Sequence, residues 1–200
     1  MKVILVTQKI EFDHLRKEYL DCIDRRVINL LRHLNYVPIP IPNFTREELS
    51  SSEKIQSFLT IVKANGIFLS GGNDVGEFPD RDATELFLLN YAEKNELPVL
   101  GICRGMQILA KYDGVGLIAV MGHANTDHKI GGEINRIVKS YHNYSLESCP
   151  PNYEIIACAE DGIVEAIKHK SKIWEGWMWH PERNFPVNSQ DETRILNIFG

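Results

Sequence analysis

The feature of this sequence that most constrains its fold is an alternation of short apolar runs with helical segments over residues 1–112. Apolar runs of strand length occur at 2–7, within 66–74 and at 98–103, and they lack polar alternation, as strands buried on both faces do. Apolar residues at helical spacing predict helices between them; these cover 21–34, 52–63, 82–95 and 104–112. Strands that alternate with helices imply right-handed crossovers and therefore predict an α/β protein with a mostly parallel sheet.

The other segments complete this sheet. YVPIPIP (36–42) has β character, but its three prolines cannot donate ladder hydrogen bonds, so we predict an edge strand or an extended segment. The last third contains short strands at close spacing, with some antiparallel pairing, and a closing helix at 190–199; the predicted strands are 134–140, 153–162, 163–169 and 173–180. No repeat, low-complexity tract or linker interrupts the sequence, which predicts one domain over residues 1–200.

Composition argues against several function classes. The net charge is −5 and the Lys and Arg residues are scattered, which argues against a nucleic-acid surface but not against a small anionic substrate. The N-terminal apolar run is too short for a signal peptide, and no apolar stretch approaches the roughly 20 residues of a membrane span, so we expect a cytoplasmic protein. The four cysteines lie far apart, which predicts free thiols and neither a metal site nor a cofactor; they are Cys22, Cys103, Cys149 and Cys158.

Two turns at the ends of predicted strands are unusual: SGGND (70–74) and GICRG (101–105). Ligands of open α/β sheets bind outside the carboxyl ends of the strands, which is where both turns lie. GICRG has the pattern of a nucleophile elbow, in which the flanking glycines relieve crowding and the turn displays Cys103. The helix dipole favours a thiolate there, and the N–H of Arg104 is free to donate to an oxyanion. Most free cysteines are small core residues, but this context favours a nucleophile, and the other three cysteines lack such a context.

A thiol nucleophile needs a base that is held in orientation. His180 ends the apolar run IWEGWMWH, and the proline after it fixes the chain direction so that Glu182 can turn back toward the imidazole. This arrangement predicts a Cys–His–Glu set in which Glu182 selects the imidazole tautomer. The other histidines are assigned by their surroundings: three are expected to be solvated (His14, His33, His169) and three to be possible pocket residues in loops (His123, His128, His142).

At these residues the sequence resembles the class I glutamine amidotransferase superfamily, and within it the stand-alone γ-glutamyl hydrolases of the peptidase C26 type. The matching motifs occur in order from about residue 66 to 183; they are LSGGNDV, RDATELFLLNYAEKNELPVLGICRGMQ, VKSYHNYSL, AEDGIVEAI and GWMWHPER. The resemblance implies a three-layer fold with a flavodoxin-like core, a mostly parallel central sheet flanked by helices, and a small antiparallel portion near the C-terminus.

The resemblance also implies residue roles. Cys103 would be the nucleophile, His180 the acid and base, and Glu182 its orienting carboxylate. The backbone amides of Gly71, Gly72 and Arg104 would form the oxyanion hole, with Gly72 favoured over Gly71. The residues that would bind the glutamyl group are Asn73, Gln107, Ser140, Tyr141 and His142, although Gln107 could equally be a plain helix residue and Tyr141 a partly buried aromatic.

Three functions remain open at this point. The chain could hydrolyse a γ-glutamyl conjugate, produce ammonia for a separate synthase partner, or be a non-catalytic binding protein. The intact Cys–His–Glu set argues against the third, and RDATELFLLNYAEKN resembles the hydrolase branch, which favours the first. Among its relatives the chain resembles most the γ-glutamyl-CDP-amidate hydrolases of bacterial capsule phosphoramidate pathways, which implies an anionic leaving group. Four cations could meet that group, although each is more commonly a solvated surface charge: Arg81, Arg104, Lys129 and Arg136.

Overall fold

The computed structural model describes residues 1–51, 53–184 and 186–200. Its helices are α1 (Arg25–His33), α2 (Arg46–Ser50), α3 (Glu53–Val62), α4 (Pro79–Lys94), α5 (Arg104–Tyr112) and α6 (Ser189–Phe199). Its strands are β1 (Lys2–Thr7), β2 (Lys9–Asp13), β3 (Glu18–Cys22), β4 (Tyr36–Ile41), β5 (Gly66–Leu69), β6 (Val99–Ile102), β7 (Leu117–Ala119), β8 (Ala124–Gly132), β9 (Arg136–Tyr141), β10 (Tyr144–Leu146), β11 (Tyr153–Ala159), β12 (Val164–His169) and β13 (Trp174–Trp177).

Nine strands form the central sheet, in the order β4-β1-β5-β6-β13-β12-β11-β8-β9. The five strands from β4 to β13 are parallel, and the remaining four continue the sheet with antiparallel pairing. The predicted fold class is therefore confirmed, and the antiparallel portion extends over one whole side of the sheet. We refer to these two parts as the parallel half and the antiparallel half.

Helices cover both faces of the parallel half because its strands are apolar on both sides. Along β1, Ile4 and Val6 pack into one buried cluster with α1 and α6, whereas Leu5 packs into the other with α3, α4 and α5. This alternation follows from the period of two in a strand. The arrangement gives the three layers that the resemblance implied.

Most predicted elements are present, with shifted ends. The predicted helix at 21–34 begins only at Arg25, because Asp24 caps it and the preceding residues form a β2–β3 ribbon. β4 pairs with β1 at the sheet edge, as its prolines predicted. Residue 52, where a predicted helix begins, lies outside the described residues. All four cysteines are unpaired, as expected.

The site-forming turns meet at one edge of the sheet. β5, β6 and β13 lie side by side and parallel, so the chain leaves all three at the same edge. The glycine turn follows β5, Cys103 follows β6, and His180 follows β13. In the part of the chain that the structure describes, none of the helices has the length and apolar character needed to cross a membrane.

Candidate active site

Cys103 lies at a sharp turn between β6 and α5. Its backbone has φ 54° and ψ −107°, a strained conformation for a residue with a side chain. The glycines on either side are required by close packing: a Cβ on Gly101 would lie 2.5 Å from the carbonyl carbon of Gly105, and one on Gly105 would overlap the Leu69 carbonyl oxygen. The Cys103 amide donates to the Trp177 carbonyl at 2.6 Å, which ties the turn to β13. These features are those of the predicted nucleophile elbow.

His180 and Glu182 form a buried pair beside this turn. The Nδ1 atom of His180 lies 2.6 Å from Glu182 Oε1, and both side chains are 3% exposed. Burial by itself lowers the pKa of His180, but hydrogen bonds with Cys103 and Glu182, and the negative charges on these groups, outweigh it and raise the pKa to about 9. The structure therefore brings together the three residues predicted for nucleophilic catalysis.

The glycine turn packs directly against this group. A Cβ on Gly71 would lie 2.7 Å from His180 Cε1 and 3.5 Å from Cys103 Cβ, so a larger residue would displace the imidazole. Gly72 has φ +84°, which a glycine adopts without strain.

Arg81 fixes the direction of the turn's peptide groups. Its guanidinium donates to the carbonyls of Ser70 at 2.8 Å, Gly71 at 3.1 Å and Gly72. In a trans peptide the N–H points away from the preceding carbonyl, so the amides of Gly71 and Gly72 point away from Arg81. Sequence reasoning assigned Arg81 to a leaving group and missed this role, which requires knowledge of the fold.

Arg81 belongs to a buried set of charges under the elbow, which we call the arginine network; it consists of Arg81, Asp82, Glu85 and Arg104. Arg104 pairs with both Asp82 and Glu85, and Arg81 pairs with Glu85 at 3.2 Å. Burial lowers the pKa of Arg81 to about 10, and the attraction of Glu85 offsets this only in part. The expectation that the Arg81 and Arg104 side chains could meet a leaving group is therefore wrong, because both are buried and already paired.

A cleft of about 340 Å³ opens in front of Cys103 and His180. Gln107, Tyr141 and His142 line it, and the ring of Tyr141 meets that of His180 edge-on with centroids 5.6 Å apart. Gln107 Nε2 donates to the Tyr144 carbonyl at 3.0 Å, which fixes the amide in the cleft wall. These three predicted substrate residues therefore lie where a substrate of Cys103 would bind.

The other two predicted substrate residues are placed differently. Asn73 borders the cleft, but its side-chain amide binds both the N–H and the carbonyl of Ile10 and accepts from Arg81. Ser140 is fully buried and donates to the His123 carbonyl at 2.5 Å, away from the residues that line the cleft. The structure thus uses the Asn73 and Ser140 side chains to hold neighbouring segments in place.

A second cleft of about 260 Å³ adjoins the first and shares Tyr141, His180 and Arg183 with it. Arg183 lies over the Tyr141 ring, with its guanidinium carbon 4.1 Å from the centroid. Two further cations, Arg136 and Lys139, line this second cleft, and Arg136 is paired with Asp191 at 2.5 Å. Lys129 is exposed on β8 and is not among the lining residues of either cleft. Sequence reasoning missed Arg183 and Lys139, although Arg183 directly follows the His-Pro-Glu tripeptide.

The structure also assembles the histidines left as possible pocket residues. His123, His128 and His142 each place a ring nitrogen 3.1–3.2 Å from one oxygen of the buried Glu165. We call these four residues the imidazole cluster. Three of them could hold a metal ion: the ligand atoms of His123, His128 and Glu165 lie within 4.8 Å of one another.

Comparison with known proteins places this geometry in context. The family model for class-I glutamine amidotransferases matches residues 18–197. Among curated proteins, the γ-glutamyl-CDP-amidate hydrolase of Campylobacter jejuni is 30% identical over 153 residues, covering 74% of this chain and 76% of that protein. A subunit of the glutamine-hydrolysing GMP synthase of Methanococcus aeolicus is 31% identical over 178 residues, covering 80% and 84%. A solved structure from Thermoplasma acidophilum, provisionally named as a GMP synthase subunit, shares the fold with a TM-score of 0.72 at 18% identity, covering 100% of this chain and 94% of that one.

Proposed function

Because the chain belongs to the class-I glutamine amidotransferase family, we propose that it hydrolyses the γ-glutamyl amide bond of a small-molecule conjugate, with Cys103 as nucleophile. The observation that carries this proposal is the convergence of Cys103, His180 and Glu182 at one sheet edge, with His180 and Glu182 2.6 Å apart. A thiol, an imidazole and an orienting carboxylate are the groups that acyl transfer through a thioester requires.

The reaction would proceed in two steps. The Cys103 sulfur attacks the γ-carbonyl carbon, a C–S bond forms, and the C–N bond breaks as His180 gives a proton to the departing nitrogen. Water then attacks the thioester while His180 accepts its proton, which releases glutamate and restores the thiolate. The raised pKa of His180 keeps its imidazole protonated at neutral pH, which supports a thiolate at Cys103 before substrate arrives.

The oxyanion would be held by backbone amides. The Arg104 N–H is at the start of α5 and has no partner inside the helix, and the Gly71 and Gly72 amides point away from Arg81. Such donors are fixed before the reaction begins, so they stabilise the developing charge without reorganisation.

We propose that the leaving group is anionic. The second cleft lies next to His180 and carries the cations Arg183, Lys139 and Arg136, which would attract phosphate oxygens. The Campylobacter jejuni relative is a γ-glutamyl-CDP-amidate hydrolase, and the corresponding reaction here would release cytidine diphosphoramidate and glutamate. This narrow form places the enzyme in the cytoplasm, in capsule phosphoramidate synthesis, without a nucleic acid or membrane partner.

A glutaminase subunit is the second candidate function. The Methanococcus aeolicus relative is one subunit of a glutamine-hydrolysing GMP synthase, and it aligns over most of this chain. In this case the leaving group would be ammonia, and a separate synthase would be required to use it.

A substrate panel assayed by glutamate release distinguishes the candidates. We expect turnover of γ-glutamyl-CDP amide to exceed that of γ-glutamyl amines and free glutamine, and Cys103→Ala to reduce it at least about 10³-fold. Cys149→Ala, which removes a thiol away from the cleft, is the matched control and should retain activity. Comparable turnover of glutamine, or activation by a synthase, would favour the glutaminase; full activity of Cys103→Ala would refute both.

A further inference from the structure

We propose that His123, His128 and Glu165 form a Zn²⁺ site beside the cleft that contains Cys103. His123 directly precedes β8, His128 lies on β8, and Glu165 lies on β12, so strands from the antiparallel half bring the three together. Their distances along the chain hid this cluster from the sequence analysis, which expected no metal on the basis of local spacing. The inference is independent of the proposed reaction.

The spacing of the ligand atoms suits one ion. His123 Nδ1 and His128 Nε2 each lie 3.2 Å from Glu165 Oε1. In a tetrahedral zinc site with bonds of about 2.0–2.2 Å, neighbouring ligand atoms are about 3.3 Å apart. A fourth position is available to His142, whose Nε2 lies 3.1 Å from the same oxygen.

The hydrogen bonds around the cluster direct lone pairs toward Glu165. His142 Nδ1 faces the Tyr144 carbonyl at 3.0 Å and must donate there, which leaves the lone pair of Nε2 facing Glu165. His123 lies between two carboxylates, because Nε2 is 2.9 Å from Asp161 Oδ2. In either neutral tautomer one of its lone pairs faces a carboxylate oxygen, a contact that is repulsive unless a cation lies between the two atoms. Metal-binding histidines have this pattern, with the second nitrogen donating to a carbonyl or carboxylate.

The cluster also leaves polar atoms and charge unmatched. His128 Nε2 and Glu165 Oε2 are buried without a hydrogen-bond partner among the described residues. Glu165 is fully buried, and within the described residues its ion pairs are with imidazoles and not with Lys or Arg. A buried carboxylate needs a partner of opposite charge, and a divalent ion would balance both Glu165 and Asp161.

The donor set selects the metal class. Imidazole nitrogens with one carboxylate suit Zn²⁺, whereas Mg²⁺ and Ca²⁺ prefer oxygen ligands only. His142 also lines the cleft in front of Cys103, so an ion in this site would hold that wall of the cleft in place.

The test is a Zn²⁺ titration of the metal-stripped full chain against a chromophoric chelator, in a Cys103→Ala background so that this thiol cannot take up the ion. We expect one equivalent of Zn²⁺ to bind and to raise the unfolding temperature in proportion to its affinity. His128→Gln and Glu165→Gln should each weaken binding more than Asp161→Asn, which removes only an outer partner and should cost about 10–100-fold. His14→Gln removes an exposed histidine in the β2–β3 turn and should change nothing.

The controls keep the outcome decisive. His128 is 17% exposed, so His128→Gln should fold even if Glu165→Gln does not. Absence of Zn²⁺ binding by the parent chain, binding of Mg²⁺ or Ca²⁺ alone, or an unchanged Kd in His128→Gln would overturn the proposal.

Discussion

Two buried groups of ionisable side chains border the reactive cleft, and they differ in how their charges are compensated. The arginine network contains two guanidinium groups and two carboxylates that pair with one another. The imidazole cluster contains a fully buried carboxylate whose partners are histidines. The comparison indicates that the parallel half supplies its own counter-charges and serves as a scaffold, whereas the antiparallel half is arranged for a cation from outside.

The largest expected effect follows from breaking this charge balance. Glu85→Gln leaves Arg81 and Arg104 short of one buried negative charge, so the free energy of unfolding should fall by about 3–5 kcal/mol. Glu165→Gln, in metal-free protein, should cost far less, because its amide can donate to the imidazole lone pairs. Denaturant unfolding of both variants measures the contrast, and equal losses would contradict it.

The second effect concerns pH and the pair that lies between the two groups. The pKa of His180 is raised in the folded protein from 6.5 to about 9, so the folded state holds this proton more tightly than the unfolded state does. The resulting stabilisation, up to about 3 kcal/mol, is complete below pH 6.5 and is lost as the pH rises through 9. Unfolding free energies measured over this range should fall for the wild type and stay flatter for His180→Gln. Parallel profiles would show that His180 is not the group responsible.

The third effect compares glycines in the two halves. A Cβ at Gly105 would overlap the Leu69 carbonyl oxygen, and backbone atoms cannot move aside easily, so Gly105→Ala should cost about 1–3 kcal/mol or more. Gly131 on β8 has no atom within 4 Å of the corresponding position, so Gly131→Ala should be neutral or stabilising by about 0.4–1 kcal/mol. Thermal unfolding of the two variants, with opposite signs expected, is the measurement.

The smallest expected effect separates structural from metal-binding roles in the imidazole cluster. Asp161 is about half exposed and pairs with His123, so Asp161→Asn should change the stability of metal-free protein by less than about 1 kcal/mol. With Zn²⁺ present, the stability difference between Asp161→Asn and the parent should widen. A difference that is the same with and without the ion would indicate a purely structural contact.

The sequence predicted the parallel half well because its strands are continuous apolar runs. β8 was missed because ANTDHKIGG is polar and only Ile130 along it is buried, and the β2–β3 ribbon was missed because it is largely exposed. Cys103, His180 and Glu182 were predictable because each follows a recognisable strand. The role of Arg81 and the imidazole cluster depend on contacts between distant segments, and Ser140 was misplaced because alternation along β9 turns it to the opposite face from Tyr141.

The position of β13 has a consequence for the order in which the molecule can assemble. This strand lies between β6 and β12 at the middle of the sheet, yet it is the last strand in chain order. Its Trp177 carbonyl accepts from the Cys103 amide, and the residues that follow it supply His180 and Glu182. Until β13 inserts, the folding chain exposes two unpaired strand edges and a thiol without its base. Closure of the sheet and completion of the reactive group are therefore a single late event in folding.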